Sequence, residues 1–555
     1  MAALLEICGL RIVAGSAGQT GHEAPIVDDV NLTLNRGEVV GLIGESGAGK
    51  TTIGLAALGH VRHGCSVTAG SVALDGIDLL RLSAKERRSI RGRRIAYVAQ
   101  SAAASFNPAW RLRDQVVEVL VRRNLMDRKD AAQRAIELFA ELDLPMPERF
   151  GDSYPHQVSG GQLQRAMVAM AMACRPDVLV LDEPTTALDV TTQIELLAAL
   201  RRVIRQHQTA ALYISHDLAV VAQLAHRIMV LRRGRMVEHG EARLILQNPT
   251  QDYTRRLVSV RAADTTAPLR SPPHQSQHRA PLLRIDRVSA SYGAGSRVIS
   301  QITLSVDAGE TVAVVGESGS GKTSLARAIC GLLAPTEGAI ELSQQPLAAS
   351  VTGRSREELR RIQLVYQMPD VALNPHHTVE LIIGRPLAFY RGRREFDRTR
   401  VAELLQMVEL SSSFASRRPG ELSGGEKQRV CIARALAAEP DLMICDEVTS
   451  ALDPLVADGI LRLLVRLQEE SNLSYLFISH DLGAVRRVAQ KLVVMLQGRI
   501  VAQGPIGDVL RPPMHDYTNL LLSSVPEMRP NWLDDVITAR ATPFAASLVG
   551  PSSTH

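Results

Sequence analysis

An internal duplication constrains the fold of this chain more than any other feature. The segment Gly-Glu-Ser-Gly-Xaa-Gly-Lys-Thr occurs at 44–51 and again at 316–323. Three later motifs recur 264 residues apart: Ser-Gly-Gly begins at Ser159 and Ser423, Asp-Glu at Asp182 and Asp446, and Ile-Ser-His-Asp at Ile214 and Ile478. Motifs that return in one order at a nearly fixed spacing mark repeated structural units. The chain therefore contains two copies of one module.

The repeat also predicts the domain boundaries. Length alone, 555 residues, suggests about three core units. We expect a first module over 1–260, a linker over 261–281, a second module over 282–529 and a C-terminal tail over 530–555. The linker is rich in Ala, Pro, Ser and Gln and lacks apolar periodicity. About 20 flexible residues span about 25 Å, which would let the modules face each other. The tail has small and polar residues and no repeat partner, so we expect it to be loosely ordered.

Composition narrows the class of protein. Apolar residues make up 45% of the chain, and the net charge is only +5, with 63 basic and 58 acidic residues interspersed. A nucleic-acid-binding protein more often shows a concentrated basic face, so we expect no nucleic-acid partner. No apolar run approaches the ~18 residues of a membrane-spanning helix, and the N-terminus does not resemble a secretory signal. The six cysteines form no CxxC pair, which favours a reducing cytoplasmic setting over a disulfide or zinc framework.

In each module, short β-branched runs alternate with helical patterns, which predicts a parallel sheet flanked by helices. The predicted strands are Val39–Ile43, Ile95–Ala99, Val178–Leu181 and Ala211–Ser215, and in the second copy Thr311–Val315, Ile362–Tyr366, Leu442–Cys445 and Tyr475–Ser479. The stretches Thr52–Leu58 and Ser324–Leu333 are predicted helices.

A glycine-rich loop between a strand and a helix predicts a nucleotide site in each copy. Its glycines allow backbone N–H groups to point at phosphate oxygens, its lysine reaches the β- and γ-phosphates, and its threonine hydroxyl suits Mg²⁺. The predicted nucleotide-binding residues are Gly44, Glu45, Ser46, Gly47, Ala48, Gly49, Lys50, Thr51 and Thr52, and in the second copy Gly316, Glu317, Ser318, Gly319, Ser320, Gly321, Lys322, Thr323 and Ser324.

An acidic pair ends an apolar strand in each copy, at the sheet edge that should carry the phosphate loop. Asp182 and Asp446 suit Mg²⁺, directly or through water. Neighbouring side chains diverge at a strand end, so Glu183 and Glu447 should point elsewhere. We expect these glutamates to orient or deprotonate the attacking water.

Two further polar residues end strands in each copy. His216 and His480 are predicted to contact the γ-phosphate, where a donor stabilises developing charge. Gln100 and Gln367 follow short strands, and each amide could contact Mg²⁺ or the water and lose that contact when its loop moves. We therefore count the glutamines among both the catalytic and the metal-binding candidates.

The Ser-Gly-Gly motifs precede helical stretches that we expect to begin near Leu163 and Lys427. A hydroxyl, two unobstructed N–H groups and a helix start form an anion-binding arrangement. Each module already has a phosphate loop, so this second site should serve the phosphate of another module. The candidate residues are Ser159, Gly160, Gly161 and Gln162, and Ser423, Gly424, Gly425 and Glu426.

Together these motifs resemble the ATP-binding-cassette family, in family order and over nearly the whole chain: Walker A, Q-loop, signature, Walker B, D-loop (Ala187-Leu188-Asp189 and Ala451-Leu452-Asp453) and H-loop. The resemblance implies an α/β fold of two tandem P-loop NTPase (RecA-like) cassettes, each with an antiparallel β subdomain and a helical subdomain. It implies ATP and Mg²⁺ as cofactors and transport-coupled ATP hydrolysis. It also implies an intramolecular head-to-tail pseudo-dimer with two hydrolytic sites.

In that arrangement Lys50 and Glu183 would work with Ser423–Gly425, and Lys322 and Glu447 with Ser159–Gly161. Family modules usually stack adenine on an aromatic residue upstream of the phosphate loop. Alignment places Tyr292 there in the second copy but Ala14 in the first. We therefore predict weaker nucleotide binding at the Lys50 site.

Finer features are similar to the ATPases of dipeptide, oligopeptide and nickel importers. They are the Asn-Pro pairs after each Q-loop glutamine (Asn107-Pro108 and Asn374-Pro375), the Tyr154–Gln157 segment, and a repeated Pro…Tyr-Thr…Leu segment (Pro249, Tyr253, Thr254, Leu257 and Pro513, Tyr517, Thr518, Leu521). This similarity implies two integral-membrane permeases and a solute-binding protein as partners. It also implies a peripheral position on the cytoplasmic face of the plasma membrane, with the helical region 114–151 as the permease-docking surface.

Other assignments stay open at this stage. A fused sugar-importer ATPase has the same architecture, and a soluble translation-associated cassette protein also has two modules, although usually with a long charged helical linker. A DNA-repair cassette protein would show zinc-type cysteine pairs. No cysteine follows Cys445, so we expect no iron–sulfur cluster. Peptides, nickel complexes, glutathione and opine-like compounds all remain possible solutes.

Overall fold

The computed structural model describes residues 3–15, 25–186, 188–266, 269–270, 280–293, 295, 297–391, 397–450 and 452–540. It divides into two compact units, one formed by Met1–Arg261 with Pro526–His555 and the other by Ala262–Val525. Across the described part of the chain, none of the helices has both the length and the apolar character needed to cross a bilayer.

The first unit contains two sheets. Its strands are β1 (Leu5–Ala14), β2 (Pro25–Leu34), β3 (Val39–Gly44), β4 (Cys65–Leu74), β5 (Ile77–Asp78), β6 (Ile95–Val98), β7 (Val178–Asp182), β8 (Ala210–Ile214), β9 (Arg227–Arg232) and β10 (Arg235–Glu241). A four-stranded antiparallel sheet has the order β2-β1-β4-β5, and a six-stranded sheet has the order β10-β9-β3-β8-β7-β6. The larger sheet is parallel except at its β9–β10 edge.

The helices of the first cassette surround the larger sheet or form a separate helical subdomain. They are α1 (Lys50–Ala57), α2 (Ala84–Ile90), α3 (Ala102–Ser105), α4 (Leu112–Val116), α5 (Glu118–Arg122), α6 (Arg128–Glu141), α7 (Pro147–Phe150), α8 (Gly160–Met172), α9 (Val190–His207), α10 (Leu218–Val221), α11 (Ala242–Gln247) and α12 (Asp252–Thr266). A 3₁₀ turn covers Pro155–Gln157. Helices α4, α6 and α8 pack together between the Q-loop and the signature.

The second unit repeats this architecture. Its strands are β11 (Leu283–Ser291), β12 (Arg297–Val306), β13 (Thr311–Val315), β14 (Glu337–Leu342), β15 (Gln345–Pro346), β16 (Ile362–Val365), β17 (Leu442–Asp446), β18 (Ser474–Ile478), β19 (Lys491–Leu496) and β20 (Arg499–Pro505). They form an antiparallel sheet of order β12-β11-β14-β15 and a mainly parallel sheet of order β16-β17-β18-β13-β19-β20.

Its helices follow the same plan. They are α13 (Lys322–Ile329), α14 (Arg356–Arg361), α15 (Pro369–Ala372), α16 (Val379–Arg391), α17 (Arg398–Met407), α18 (Gly424–Leu436), α19 (Pro454–Ser471), α20 (Leu482–Val488), α21 (Ile506–Val509) and α22 (Asp516–Ser523). Short 3₁₀ turns cover Val351–Gly353, Ser412–Ser416 and Pro419–Glu421. A last helix, α23 (Trp532–Arg540), belongs to the first unit.

One hydrophobic core joins the two sheets of each cassette. In the first, Leu5 and Ile7 of the antiparallel sheet share a buried cluster with Leu42 and Ile214 of the parallel sheet. All positions of strands β3, β7 and β8 are buried, as expected for parallel strands covered on both faces. Continuous apolar runs therefore predicted these strands correctly, and the two-cassette α/β fold is confirmed.

Three expectations need correction. The predicted linker does not begin at Arg261, because α12 continues to Thr266, and Arg270 bonds Gln468 and Glu469. The tail is not wholly irregular, because 532–540 form α23, in which Trp532 and Leu533 are buried. The signature helices begin at Gly160 and Gly424, three residues earlier than expected. Residues 271–279 and 541–555, with Ala187 and Ala451 of the D-loops, lie outside the described residues.

Candidate functional site

Each phosphate loop is a tight turn from a buried strand into a helix. Lys50 Nζ donates to the carbonyl oxygens of Gly44 at 2.7 Å and Glu45 at 2.9 Å, and Lys322 makes the same two bonds at 2.8 Å each. Gly49 has φ 93°, and a Cβ there would lie 2.7 Å from the Ile26 carbonyl oxygen. The loop therefore passes against the backbone of β2 at a distance that only glycine permits.

The residues predicted to hold Mg²⁺ lie together at the end of the central strands. Thr51 Oγ1 donates to Asp182 Oδ1 at 3.1 Å, and Thr323 Oγ1 to Asp446 Oδ1 at 3.3 Å. Burial raises the pKa of both aspartates, against the opposing hydrogen bonds of Tyr97 and Thr51 at Asp182 and of Thr323 at Asp446. A hydroxyl beside a half-enclosed carboxylate is an oxygen donor set of the kind Mg²⁺ prefers, so these residues fit the metal.

The backbone turns sharply between the two acidic residues. Glu183 and Glu447 have φ of 47° and 50°, and their N–H groups bond the Ile214 and Ile478 carbonyl oxygens at 2.9 Å. Left-handed backbone is unusual for a residue with a side chain and often accompanies functional sites. As the sequence predicted, the glutamate carboxylates therefore have partners different from those of the aspartates.

Each glutamate lies between the glutamine and the histidine of its cassette. Gln100 Nε2 donates to Glu183 Oε2 at 3.1 Å, and Gln367 Nε2 to Glu447 Oε2 at 2.7 Å. His216 Nδ1 lies 3.2 Å from Glu183 Oε1, and the distance between His480 Nδ1 and Glu447 Oε1 is 3.4 Å.

These contacts shift the pKa values of both the glutamate and the histidine in each pair. Burial tends to raise the pKa of Glu183, but the hydrogen bond and charge of His216 lower it, and the resulting shift is downward. Burial tends to lower the pKa of His216, but Glu183 raises it above its usual value. Glu447 and His480 show the same pattern. The pair therefore favours an ionised glutamate beside a protonated imidazole.

The signature motif is a capped helix start. Ser159 Oγ accepts the Gln162 N–H at 3.3 Å, and Gln162 Oε1 accepts the Ser159 N–H at 3.0 Å. Ser423 and Glu426 form the same capping box, at 3.4 Å and 2.7 Å. The side chains of Gln162 and Glu426, which the sequence predicted to contact nucleotide, therefore serve the cap in this structure.

The two signature glycines have different roles. A Cβ on Gly161 would lie 2.0 Å from Thr192 Cγ2, whereas a Cβ on Gly160 would meet nothing within 4 Å. Gly161 thus permits α8 to pack against the start of α9. Gly160 instead leaves an exposed stretch of backbone that a phosphate could approach.

Tyr292 lies next to the helix that follows the second phosphate loop. Its hydroxyl is 3.5 Å from Ser324 Oγ and accepts a bond from Arg327 Nη1 at 3.1 Å, and the residue is 48% exposed. A half-exposed ring held near the nucleotide loop suits adenine stacking. The aligned Ala14, at the end of β1, has no ring to offer.

Replacing Tyr292 with alanine is expected to weaken ATP binding at the Lys322 site by about 1–3 kcal/mol, the usual value of base stacking on an aromatic ring. The measurement is a nucleotide titration in a Lys50→Ala background. Tyr292→Phe keeps the ring and should keep the affinity. Equal ATP affinity in the Lys50→Ala and Lys322→Ala proteins would contradict the predicted inequality of the two sites.

Sequence reasoning did not assign three tyrosines to the site. Tyr97 Oη donates to Asp182 Oδ2 at 2.7 Å. In the second cassette Leu364 occupies the equivalent position of β16, so Asp446 has no tyrosine partner from that strand. Tyr253 Oη accepts the N–H of Glu45 at 3.1 Å, and Tyr517 Oη that of Glu317 at 2.9 Å. The spacing of 264 residues between Tyr253 and Tyr517 was the signal that could have identified this pair.

The buried Tyr517 connects the segment after the second cassette to the backbone of its phosphate loop. Tyr517→Phe removes the acceptor for the Glu317 N–H. Loss of one hydrogen bond typically costs about 0.5–1.5 kcal/mol, so we expect about a two- to twelvefold weaker ATP affinity at the Lys322 site. The matched control is Tyr390→Phe, because the Tyr390 hydroxyl bonds Gln363 away from the loop. Equal affinity in the two variants would contradict a positioning role for Tyr517.

Comparison with known proteins identifies the family of this chain. The family described as ABC transporter matches residues 27–186 and 299–450, more than half of the chain. The chain belongs to the ABC transporter family. It is an ATP-binding ATPase whose hydrolysis is coupled to transport, and its residues 501–547 match the region described as oligopeptide/dipeptide transporter, C-terminal region.

Full-length relatives support the same assignment. The glutathione import ATP-binding protein GsiA of Pectobacterium atrosepticum is 35% identical, with 92% of this chain and 88% of the relative covered. The peptidoglycan transport ATP-binding protein YejF of Agrobacterium fabrum is 37% identical, with 93% and 96% covered. Both relatives match this ABC protein along nearly its whole length.

A solved structure shares the two-cassette fold. The archaeal ribosome recycling factor aABCE1, in complex with the ribosomal stalk protein aP1, gives a TM-score of 0.59 over 89% of this chain and 90% of that chain. Its sequence is 21% identical to this one, so the likeness concerns the fold.

Proposed function

We propose that this ABC ATPase powers an importer of peptides or peptide-derived solutes such as glutathione. The observation that carries the proposal is the match of the whole chain to import ATPases, together with the oligopeptide-type C-terminal region. Two integral-membrane permeases and a solute-binding protein are the implied partners. The ATPase would sit on the cytoplasmic face of the membrane, bound through the permeases.

The phosphate loop and the Thr–Asp–Gln sets account for binding of MgATP in the proposed function. Lys50 and Lys322 bind the β- and γ-phosphates of ATP, and the loop N–H groups surround them. Mg²⁺, when bound, neutralises phosphate charge, and Thr51, Asp182 and Gln100, or Thr323, Asp446 and Gln367, would hold it.

Glu183 and Glu447 are the proposed general bases. Each has a lowered pKa and so is ionised near neutral pH, ready to accept a proton from the attacking water. We propose that His216 and His480 each donate a hydrogen bond to the γ-phosphate after the imidazole turns from the glutamate.

A head-to-tail pairing of the two cassettes would complete each site. The capping box uses the N–H groups of Ser159 and Gln162, which leaves the first-turn N–H groups of the exposed signature to bind an anion. We propose that Ser159–Gly161 contact ATP held by Lys322, and that Ser423–Gly425 contact ATP held by Lys50.

A groove in the first helical subdomain suits a permease helix. It encloses about 740 Å³ and is lined by Trp110, Val117, Val121 and Tyr154, among others. Trp110 is 44% exposed although it is large and apolar. Charged residues, among them Arg111, Asp114 and Glu118, also line the groove, so it is suited to receive an amphipathic partner helix.

The deciding experiment reconstitutes the chain with candidate permeases in proteoliposomes and measures ATP hydrolysis with binding proteins loaded with glutathione, tripeptides, sugars or nickel complexes. Stimulation by peptide-type ligands supports the proposal, whereas stimulation by sugars alone contradicts it. Trp110→Ala should lower the stimulation and leave the basal rate unchanged. Co-purification with ribosomes and not with permeases would favour a translation-associated role.

A further inference from the structure

The chain returns to the first cassette after completing the second. The first unit ends at Arg261 and resumes at Pro526. These two points are adjacent, because Arg261 Nη2 lies 3.5 Å from the Pro526 carbonyl oxygen. The same guanidinium is 3.4 Å from Asp217 Oδ2, one residue beyond His216. We call residues 526–540 the C-terminal clasp.

A buried glutamine of the first cassette receives the clasp. Gln223 is 4% exposed, and its Nε2 donates to the carbonyl oxygens of Glu527 at 2.6 Å and Arg529 at 3.2 Å. Its Oε1 accepts the N–H of Leu533 at 3.2 Å. One side chain thus bonds the clasp at three points, which fixes the register of the segment.

Apolar and ionic contacts extend this docking along α9. Leu533 is fully buried, and Trp532 and Val536 are 3% and 7% exposed. Arg201 Nη1 of α9 donates to Asp534 Oδ2 at 3.1 Å. The burial of three large side chains and several specific polar bonds resembles a stable interface more than a chance contact of a chain end.

The corresponding surface of the second cassette receives a different segment, because Arg270, which aligns with Asp534 in the repeat, bonds Gln468 and Glu469 there. The position of Gln223 is occupied there by Arg487, which forms an ion pair with Asp458 of its own α19. Val465 takes the place of Arg201. A guanidinium committed to an ion pair offers no acceptor to the clasp, so the two cassettes differ at the polar positions that bond it.

We propose that the clasp is a second connection between the two halves of the chain, independent of the linker and specific for the first cassette. Its binding surface is formed by Gln223, Arg201 and the apolar contacts of α9. A break in the linker would then leave the two halves associated through the clasp.

The test uses the full chain with a protease site inserted between Ala267 and Pro268, so that Arg270, which bonds Gln468 and Glu469, stays with the second fragment. After cleavage without nucleotide, the fragments are expected to co-elute in size-exclusion chromatography. Leu533→Asp places a charge in a buried apolar site, so the fragment affinity should fall about 100-fold or more. Thr538→Asp adds the same charge on the exposed side of α23 and should have no effect.

Gln223→Arg provides an independent variant, because it changes the first cassette and leaves the clasp intact. It introduces the residue of the second cassette without its acidic partner, and it should also separate the fragments. Fragments that separate with the native clasp would overturn the proposal. Fragments that stay together equally well in Leu533→Asp and Gln223→Arg would also overturn it, because another contact would then hold the halves.

Discussion

Replacing both Glu183 and Glu447 with glutamine is expected to lower ATP hydrolysis by about 100-fold or more, the usual contribution of a general base. The amide keeps the size of the side chain and can still accept one hydrogen bond, but it cannot take a proton from water. Each glutamate has a left-handed backbone, and its carboxylate bonds partners other than the Thr–Asp pair of its cassette. ATP affinity should therefore change little, and the double variant should retain bound ATP.

The measurements are steady-state phosphate release and nucleotide retention after rapid desalting. Glu337→Gln is the matched control, because Glu337 is paired with Arg297 in the antiparallel sheet, away from the site. Each single variant should retain part of the activity through the other cassette. Hydrolysis within twofold of the native rate in the double variant would exclude the glutamates as bases.

The sequence was sufficient to predict the parts of the site formed by local structure. A buried strand, a glycine loop and a helix follow one another at 39–57 and again at 311–329, so the phosphate loop needs no distant contact to be recognised. The sequence predicted separate roles for Glu183 and His216 but no contact between them. It depends on parallel strands β7 and β8 ending side by side, and the pairing of Asp182 with Ile214 brings His216 next to Glu183.

Contacts between distant segments were beyond sequence reasoning. The 530–555 tail has no repeat partner and mostly small or polar residues, which suggested irregular structure. Helix α23 forms because Trp532 and Leu533 are buried on a surface created by α9 and Gln223. Helix formation that depends on tertiary burial leaves only a weak local signal, since short helices are marginal alone.

The pairing of the cassettes leads to a second large expected effect. In a Glu447→Gln background, hydrolysis depends on the Lys50 site, which the proposed arrangement completes with the signature of the second cassette. Gly424→Asp should then abolish most of the remaining hydrolysis, whereas Gly160→Asp should not. A Cβ at Gly160 meets nothing within 4 Å, and one at Gly424 only Leu452 Cδ2 at 3.7 Å, so both substitutions fit sterically.

An aspartate at the first position of a helix is favourable for the helix dipole, so neither variant should unfold its cassette. The same carboxylate repels a phosphate that approaches the helix N-terminus, which is the basis of the expected loss. In a Glu183→Gln background, hydrolysis depends on the Lys322 site instead. Gly160→Asp should then be the damaging substitution, and Gly424→Asp should not. The four proteins are the two aspartate variants in each of the two glutamine backgrounds. If each aspartate instead damaged the ATP site of its own cassette, the results would be the opposite of those expected. The head-to-tail arrangement would then be wrong.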